Sequence, residues 1–199
     1  MLGRKRMIVV IISGIVVLTG GLLLVRANRR VPLNYSGYDE LFVTSPSFVD
    51  GIIPEQFTGN GEDRSPQLVF ANLSEEAVSI AVIMDDLDVP VVGVYNHWTI
   101  WNIPPQNLIP EGIPHGVTVG ELGGAVQGVG YGLHRYRGPK PPFGNHRYQF
   151  HVFVLDTMLD LKAASRKKSC WLPWMGIFCN MGRLPGRIQA EKKNSTKAA

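Results

Sequence analysis

The chain has 199 residues, of which 45% are hydrophobic and 18% charged, enough for one folded domain with its own core. The net charge is +4 and the isoelectric point lies near 9.2, but the basic residues are concentrated at the two ends. Between residues 34 and 165, six Lys and Arg stand against fifteen Asp and Glu, a net charge of −9. Nucleic-acid binding needs a basic surface on the folded body, so we exclude nucleic acid as a partner.

The first predicted element is an apolar segment near the N-terminus. Residues 7–25 (MIVVIISGIVVLTGGLLLV) carry no charge and are just long enough, as a helix, to cross a bilayer. Basic residues flank the segment on both sides, which is typical of a signal anchor in contact with anionic lipid head groups. We therefore predict a transmembrane segment within 1–27. The rest of the protein would lie on the extracytoplasmic side of the membrane, or be secreted if the chain is cleaved after Ala27.

The body of the chain consists of short apolar runs separated by Gly and Pro. Three runs rich in β-branched and aromatic residues predict buried strands, at 77–84, 97–103 and 148–155. The glycine-rich stretch 120–132 predicts a long ordered loop. No strand-helix-strand rhythm is present, so we predict a mainly antiparallel β domain.

The flanking segments complete the predicted organisation. Residues 28–41 form a polar linker, 42–191 the domain and 192–199 a basic tail. A small helical element is expected within 157–181, limited by the proline at position 173. Cys170 and Cys179 either form a disulfide or remain two packed thiols, and their spacing is not that of a metal site.

Titratable residues lie at corresponding ends of the predicted strands. His146 and Tyr148 alternate in step with Phe150, Val152 and Val154, so they share the apolar face of one strand. Their rings could simply be satisfied by nearby backbone, or they could form the wall of a pocket.

Two further strands bring acids and a second histidine. Asp86 is in step with Ile80, Val82 and Met84, Asp88 follows two residues later, and His97 opens the next strand. This arrangement suits a small ligand site. Because neighbouring carboxylates repel each other, we expect one of the two acids to hold its proton more tightly than a free Asp.

Such a site could bind either charge. A protonated Asp, two imidazoles and a tyrosine hydroxyl can donate hydrogen bonds to an anion, and backbone N–H groups around Gly138 and Gly144 can add more. An ionised Asp could instead accept an ammonium group.

Four motifs occur in order along the body: NGEDRSPQL (60–68), DDLDVP (85–90), HWTIWNIP (97–104) and GPKPPFGNHRYQFHVFVLD (138–156). In this combination the chain resembles the phosphatidylethanolamine-binding protein family, and within it the bacterial Raf-kinase-inhibitor-like branch. The resemblance covers about residues 44–161. It implies an antiparallel β-sandwich with Greek-key connections and a small anion pocket at one end.

The resemblance also assigns residues to the pocket. The positions that match the family's ligand-binding motifs are Asp86, Asp88, His97, Gly138, Pro139, His146 and Tyr148. Two positions depart from the family pattern, since Leu87 replaces a usual Pro and Phe70 a usual Trp. The resemblance implies no catalytic residue, no metal and no cofactor, and it leaves room for a homodimer.

Three functions are compatible with these residues. The first is a non-enzymatic binding protein, anchored to a membrane, whose pocket holds a phosphate-type anion or a phospholipid head group resembling phosphoethanolamine. The second, by analogy with the family alone, is a regulator of a protein partner such as a kinase or protease. The third is a metal-dependent hydrolase, because two His and two Asp can ligate a metal. No recognisable metal-binding or nucleophile motif accompanies them, so the sequence favours the binding protein.

Overall fold

The computed structural model describes residues 39–91, 93–166 and 178–188. Within these ranges the strands are β1 Asp39–Glu40, β2 Phe42–Thr44, β3 Leu68–Ala71, β4 Ser79–Val89, β5 Gly93–Ile103, β6 Leu108–Ile109, β7 Thr118–Val119, β8 Ala125–Gln127, β9 His146–Leu155 and β10 Phe178–Ile188. A seven-stranded sheet has the order β1-β10-β9-β4-β5-β8-β7, and a three-stranded sheet has the order β2-β3-β6. Apart from the parallel pair of β1 and β10, neighbouring strands are antiparallel.

The main hydrophobic core lies between the two sheets. Val82 and Phe150 of the large sheet pack in one cluster with Leu68 and Phe70 of the small sheet, and all four are buried. The opposite face of the large sheet carries a second buried cluster that includes Trp101. Because both faces of β4 are covered, its residues 80–84 are continuously apolar rather than alternating. The predicted mainly antiparallel β fold is confirmed.

The predicted core strands are present, but β4 and β5 extend beyond their apolar runs. β4 continues through its acidic residues to Val89, and Asp86 is in register with Tyr148 of β9. The acids therefore belong to the sheet instead of following it. The predicted long loop at 120–132 is also interrupted, by a 3₁₀ turn at Gly120–Leu122 and by β8.

The helical element predicted within 157–181 is wrong for the described part of that range. Residues 157–166 contain no helix, and the chain re-enters the sheet as β10. A Cβ at Gly182 would collide with the carbonyl oxygen of Leu41, and one at Gly186 would lie 2.8 Å from the Ile53 side chain. Both glycines therefore mark a close approach of another segment and not a break in the strand.

The predicted fold class also included a transmembrane helix, and this part of the prediction is corrected as well. Across 39–91, 93–166 and 178–188, no helix is long and apolar enough to cross a membrane. The apolar segment 7–25 lies outside the described residues, and within those residues the fold class is mainly β. Cys170 also lies outside them, so the structure tests neither the disulfide nor the pair of thiols, and the domain boundaries stay predictions.

Candidate functional site

The candidate site forms where β4, β5 and β9 lie side by side near one end of the large sheet. Asp86 of β4 is in register with Tyr95 of β5 on one side and with Tyr148 of β9 on the other. Residues opposite each other in neighbouring strands point to the same face, so these three side chains form one row. His146 precedes Tyr148 by two residues and joins the same face.

The carboxylate of Asp86 connects three residues of the site. One carboxylate oxygen accepts a hydrogen bond from His146 Nδ1 at 2.8 Å, and the side chains are 4% and 7% exposed. The other oxygen accepts from the backbone N–H of Asp88 at 2.9 Å. The pKa of Tyr148 is raised, mainly by burial and next by the negative charge of Asp86 and the hydrogen bond to it. The Tyr148 hydroxyl therefore stays protonated. Asp86 thus fixes both rings of β9.

His97 lies among aromatic rings. Its ring centroid is 5.3 Å from that of Tyr148 and 5.1 Å from that of Tyr131, both in edge-on geometry. Its Nδ1 is 2.8 Å from the carbonyl oxygen of Arg137. A carbonyl can only accept, so Nδ1 carries the hydrogen, and Nε2 has a lone pair in the neutral ring. Burial lowers the pKa of His97, which favours that neutral ring.

The proline-rich turn is held against the site by an acid that the sequence analysis did not select. Asp63 accepts hydrogen bonds from the backbone N–H of Gly138 and from the Arg137 guanidinium at 3.0 Å, and it pairs with Arg135 at 3.1 Å. The carbonyl of Pro139 accepts from the Gly59 N–H at 2.9 Å. The NGEDRSPQL motif therefore anchors the turn that carries the Arg137 carbonyl.

The carboxylate of Asp88 is bonded to Arg147, and its predicted ligand-binding role stays a prediction. Its carboxylate accepts from Arg147 Nε at 2.9 Å, from a terminal nitrogen of the same guanidinium at 2.7 Å and from the Arg147 backbone N–H at 2.8 Å. The side-chain hydrogen bond from Arg147 lowers the pKa of Asp88 to about 2. If one of the two acids holds its proton more tightly than a free Asp, as predicted, that acid is therefore not Asp88.

We expect the Asp88 carboxyl to titrate near pH 2 in the folded protein, measured by carbon-detected NMR. Its pKa is depressed below 3.8, so its contribution to stability is complete above that pH and disappears as the pH falls towards 2. The contribution is small because the Arg147 side chain is 66% exposed. Arg147→Gln should move the midpoint back up, and a midpoint near 4 in the unmodified protein would contradict the assignment.

The structure brings together Asp86, His97, His146 and Tyr148, with Gly138 and Pro139 in the adjoining turn. Asp88 is connected to Asp86 only through its backbone N–H, while its carboxylate bonds to Arg147. The site residues missed by the sequence analysis are Asp63, Tyr95, Tyr131, Arg137 and Arg147. In the described ranges, no three His, Cys, Asp or Glu side chains are grouped so that they could hold a metal ion.

Comparisons with known proteins agree with this architecture. The sequence model of the phosphatidylethanolamine-binding protein family matches residues 44–173. A UPF0098 protein of Pyrococcus abyssi is 38% identical over 157 residues, which cover 77% of this chain and 88% of the relative. A UPF0098 protein of Methanothermobacter thermautotrophicus is 42% identical over 120 residues, which cover 59% of this chain and 78% of the relative.

Solved structures show the same similarity. The putative phosphatidylethanolamine-binding protein homolog CT736 of Chlamydia trachomatis superimposes with a TM-score of 0.68 at 29% identity, covering 76% of this chain and 99% of CT736. YbcL of E. coli superimposes with a TM-score of 0.64 at 25% identity, covering 77% of this chain and all of YbcL (100%). The chain therefore belongs to the phosphatidylethanolamine-binding protein family.

Proposed function

We propose that this protein is a non-enzymatic binding protein whose site holds a phosphate-type anion or a phospholipid head group such as phosphoethanolamine. The observation that carries the proposal is the buried pair of Asp86 and His146, set beside Tyr148 and His97 at one end of an apolar core. Burying polar groups costs folding free energy, so a cluster of four at one point indicates a role other than stabilising the fold. A few convergent polar groups on an apolar frame are typical of small-ligand sites.

The distribution of charge supports an anionic ligand. Four of the six Lys and Arg between residues 34 and 165 lie within 135–147, the segment that forms the turn and the start of β9. Asp63 pairs with two of them and Asp88 with a third. The fourth, Lys140, bonds to the Gly59 carbonyl, which leaves its positive charge at this end to attract an anion.

The test is isothermal titration of the full chain with phosphate, phosphoethanolamine and ethanolamine. We expect saturable binding of the two phosphate compounds and none of ethanolamine, with shifts of the His97 and His146 ring resonances in NMR spectra. Vesicles with and without phosphatidylethanolamine then distinguish a lipid head group from a free phosphate. Titration of both phosphate compounds without heat or ring shifts would refute the proposal.

A regulator of a protein partner is the second candidate, and exposed apolar residues beside the site favour it. Tyr131, Leu133 and Phe143 are 50%, 45% and 63% exposed. Tyr131 contacts His97, Leu133 is two residues further on, and Phe143 belongs to the turn before β9, so exposed apolar side chains of these segments suit a protein contact. A partner captured by the full chain should be lost with Leu133→Asp and Phe143→Asp while phosphoethanolamine binding persists. If the partner were captured equally well by these variants, this surface would not be its binding site.

A further inference from the structure

We propose that the site takes up a tetrahedral oxyanion together with one proton, which settles on His146 while His97 stays neutral. The inference rests on the proposed function, since it specifies the charge state in which the same site binds its ligand. It starts from the nitrogen atoms of the two histidine rings that already carry a hydrogen in the folded protein.

The hydrogen-bonding state of His146 is set by Asp86. A carboxylate can only accept, so the 2.8 Å contact places a hydrogen on Nδ1. In the neutral ring the other nitrogen, Nε2, then has a lone pair. A sulfate or phosphate dianion also offers only acceptors. His146 can therefore bond to such an anion only after Nε2 gains a proton.

The charges around His146 favour that proton once an anion is bound. The ring would then lie between two negative groups, the Asp86 carboxylate and the ligand. The other charged neighbours are Asp88, which interacts electrostatically with His146, and Arg147, which Asp88 neutralises through two side-chain hydrogen bonds. Tyr148 stacks on the ring with centroids 6.4 Å apart and is uncharged. An imidazolium between two anions is stabilised by both.

His97 is a poorer acceptor of the proton. Its Nδ1 hydrogen is donated to a carbonyl, the Arg137 main chain, which attracts a positive ring less than a carboxylate does. Burial is the strongest influence on its pKa and lowers it, and the Arg137 charge acts in the same direction. The hydrogen bond with the Arg137 carbonyl, and after it the charges of Asp86 and Asp85, oppose this change without reversing it.

The remaining neighbours of His97 are the rings of Tyr95, Tyr131 and Tyr148. Tyr148 is uncharged because its pKa is raised. The neutral His97 ring presents Nε2 as an acceptor. It therefore suits a ligand that itself carries an O–H or N–H donor, such as a singly protonated phosphate or the ammonium of phosphoethanolamine.

The experiment is calorimetric titration of the full chain with sulfate, phosphate and phosphoethanolamine at pH 6 to 8, in buffers that differ in ionisation enthalpy. Sulfate does not protonate in this range, so a proton taken up with it belongs to the protein. We expect close to one proton per sulfate at pH 8, where histidines are generally neutral. By linkage, affinity should fall about tenfold per pH unit on the alkaline side.

Two variants and one spectrum locate the proton. His146→Gln supplies a permanent N–H donor, so its sulfate binding should take up no proton and lose its dependence on pH. His115→Gln removes an exposed histidine and should retain proton uptake. In the unmodified protein, nitrogen NMR should show His146 Nε2 becoming protonated as sulfate is added, a readout that does not require the variant to fold.

The outcomes separate the two proposals. Sulfate binding without proton uptake, or with the proton on His97, would overturn the inference and leave the proposed function standing. Failure of all three anions to bind at every pH would overturn both.

Discussion

Replacing His146 with alanine is expected to lower the affinity for phosphoethanolamine by about 30-fold or more. The side chain is 7% exposed and hydrogen-bonded to the Asp86 carboxylate, which would be left without this partner next to an incoming anion. Truncating one partner of a buried, hydrogen-bonded charged pair costs about 2 to 5 kcal/mol of binding free energy. Isothermal titration of the variant beside the unmodified protein measures the change.

His115→Ala is the matched control, since it removes an exposed imidazole whose ring nitrogen contacts Arg135 at 3.2 Å. We expect it to change the affinity less than threefold. Urea unfolding of both variants checks that the loss arises in the site and not in the fold. An unchanged affinity in a folded His146→Ala protein would mean that the ligand binds elsewhere.

Pairing of Asp86 with His146 was within reach of the sequence because it follows from strand alternation. Each residue is in step with a buried apolar series on its own strand, and both series pack in the main core. Two side chains at the same end and on the same face of neighbouring strands must then meet. Alternation tells which face a residue occupies once a strand is recognised, and it placed Asp86 and His146 on the core face, whereas the pairing of β4 with β9 is seen in the structure.

The contacts made by the turn could not be predicted in the same way. Asp63 and Gly138 are 75 residues apart, and their hydrogen bond depends on how two irregular segments pass each other. No periodicity relates such segments. The contact between Asp88 and Arg147 was missed for a related reason, since the sequence places Asp88 beside Asp86 but does not show that the Arg147 guanidinium reaches its carboxylate.

The missed strand β10 has a simpler cause, because Gly182, Pro185 and Gly186 resemble a break in the chain. Arg187 donates to the Gly51 carbonyl and accepts from the Ile53 N–H, so its backbone groups point away from β9. Pro185 lies two residues earlier, so its backbone groups also point away from β9. Its missing N–H therefore removes no hydrogen bond from the pairing with β9. Contacts with neighbouring segments, which the sequence of the strand does not show, explain why Gly and Pro are accepted within β10.

Gly138→Ala is expected to lower the free energy of unfolding by about 2 to 3 kcal/mol, the upper part of the range for overpacking a closed site. An added Cβ would lie 2.6 Å from the Thr58 carbonyl carbon, 2.7 Å from the Phe57 carbonyl oxygen and 2.8 Å from an Asp63 carboxylate oxygen. Two of these atoms are backbone, so the clash cannot be relieved by rotating a side chain. Urea unfolding monitored by tryptophan fluorescence measures the loss.

The same substitution should weaken phosphoethanolamine binding, because the turn must move away from Asp63 and the adjacent Arg137 carbonyl holds the His97 ring. Gly120→Ala is the control, since its Cβ would meet nothing within 4 Å and its backbone needs no left-handed conformation. That variant should stay within about 0.5 kcal/mol of the unmodified protein. If both alanine variants were equally stable, the turn would have room to shift, and Asp63 could not be holding Gly138 against the site. If Gly138→Ala lost stability but kept its affinity, the position of His97 would not depend on this turn.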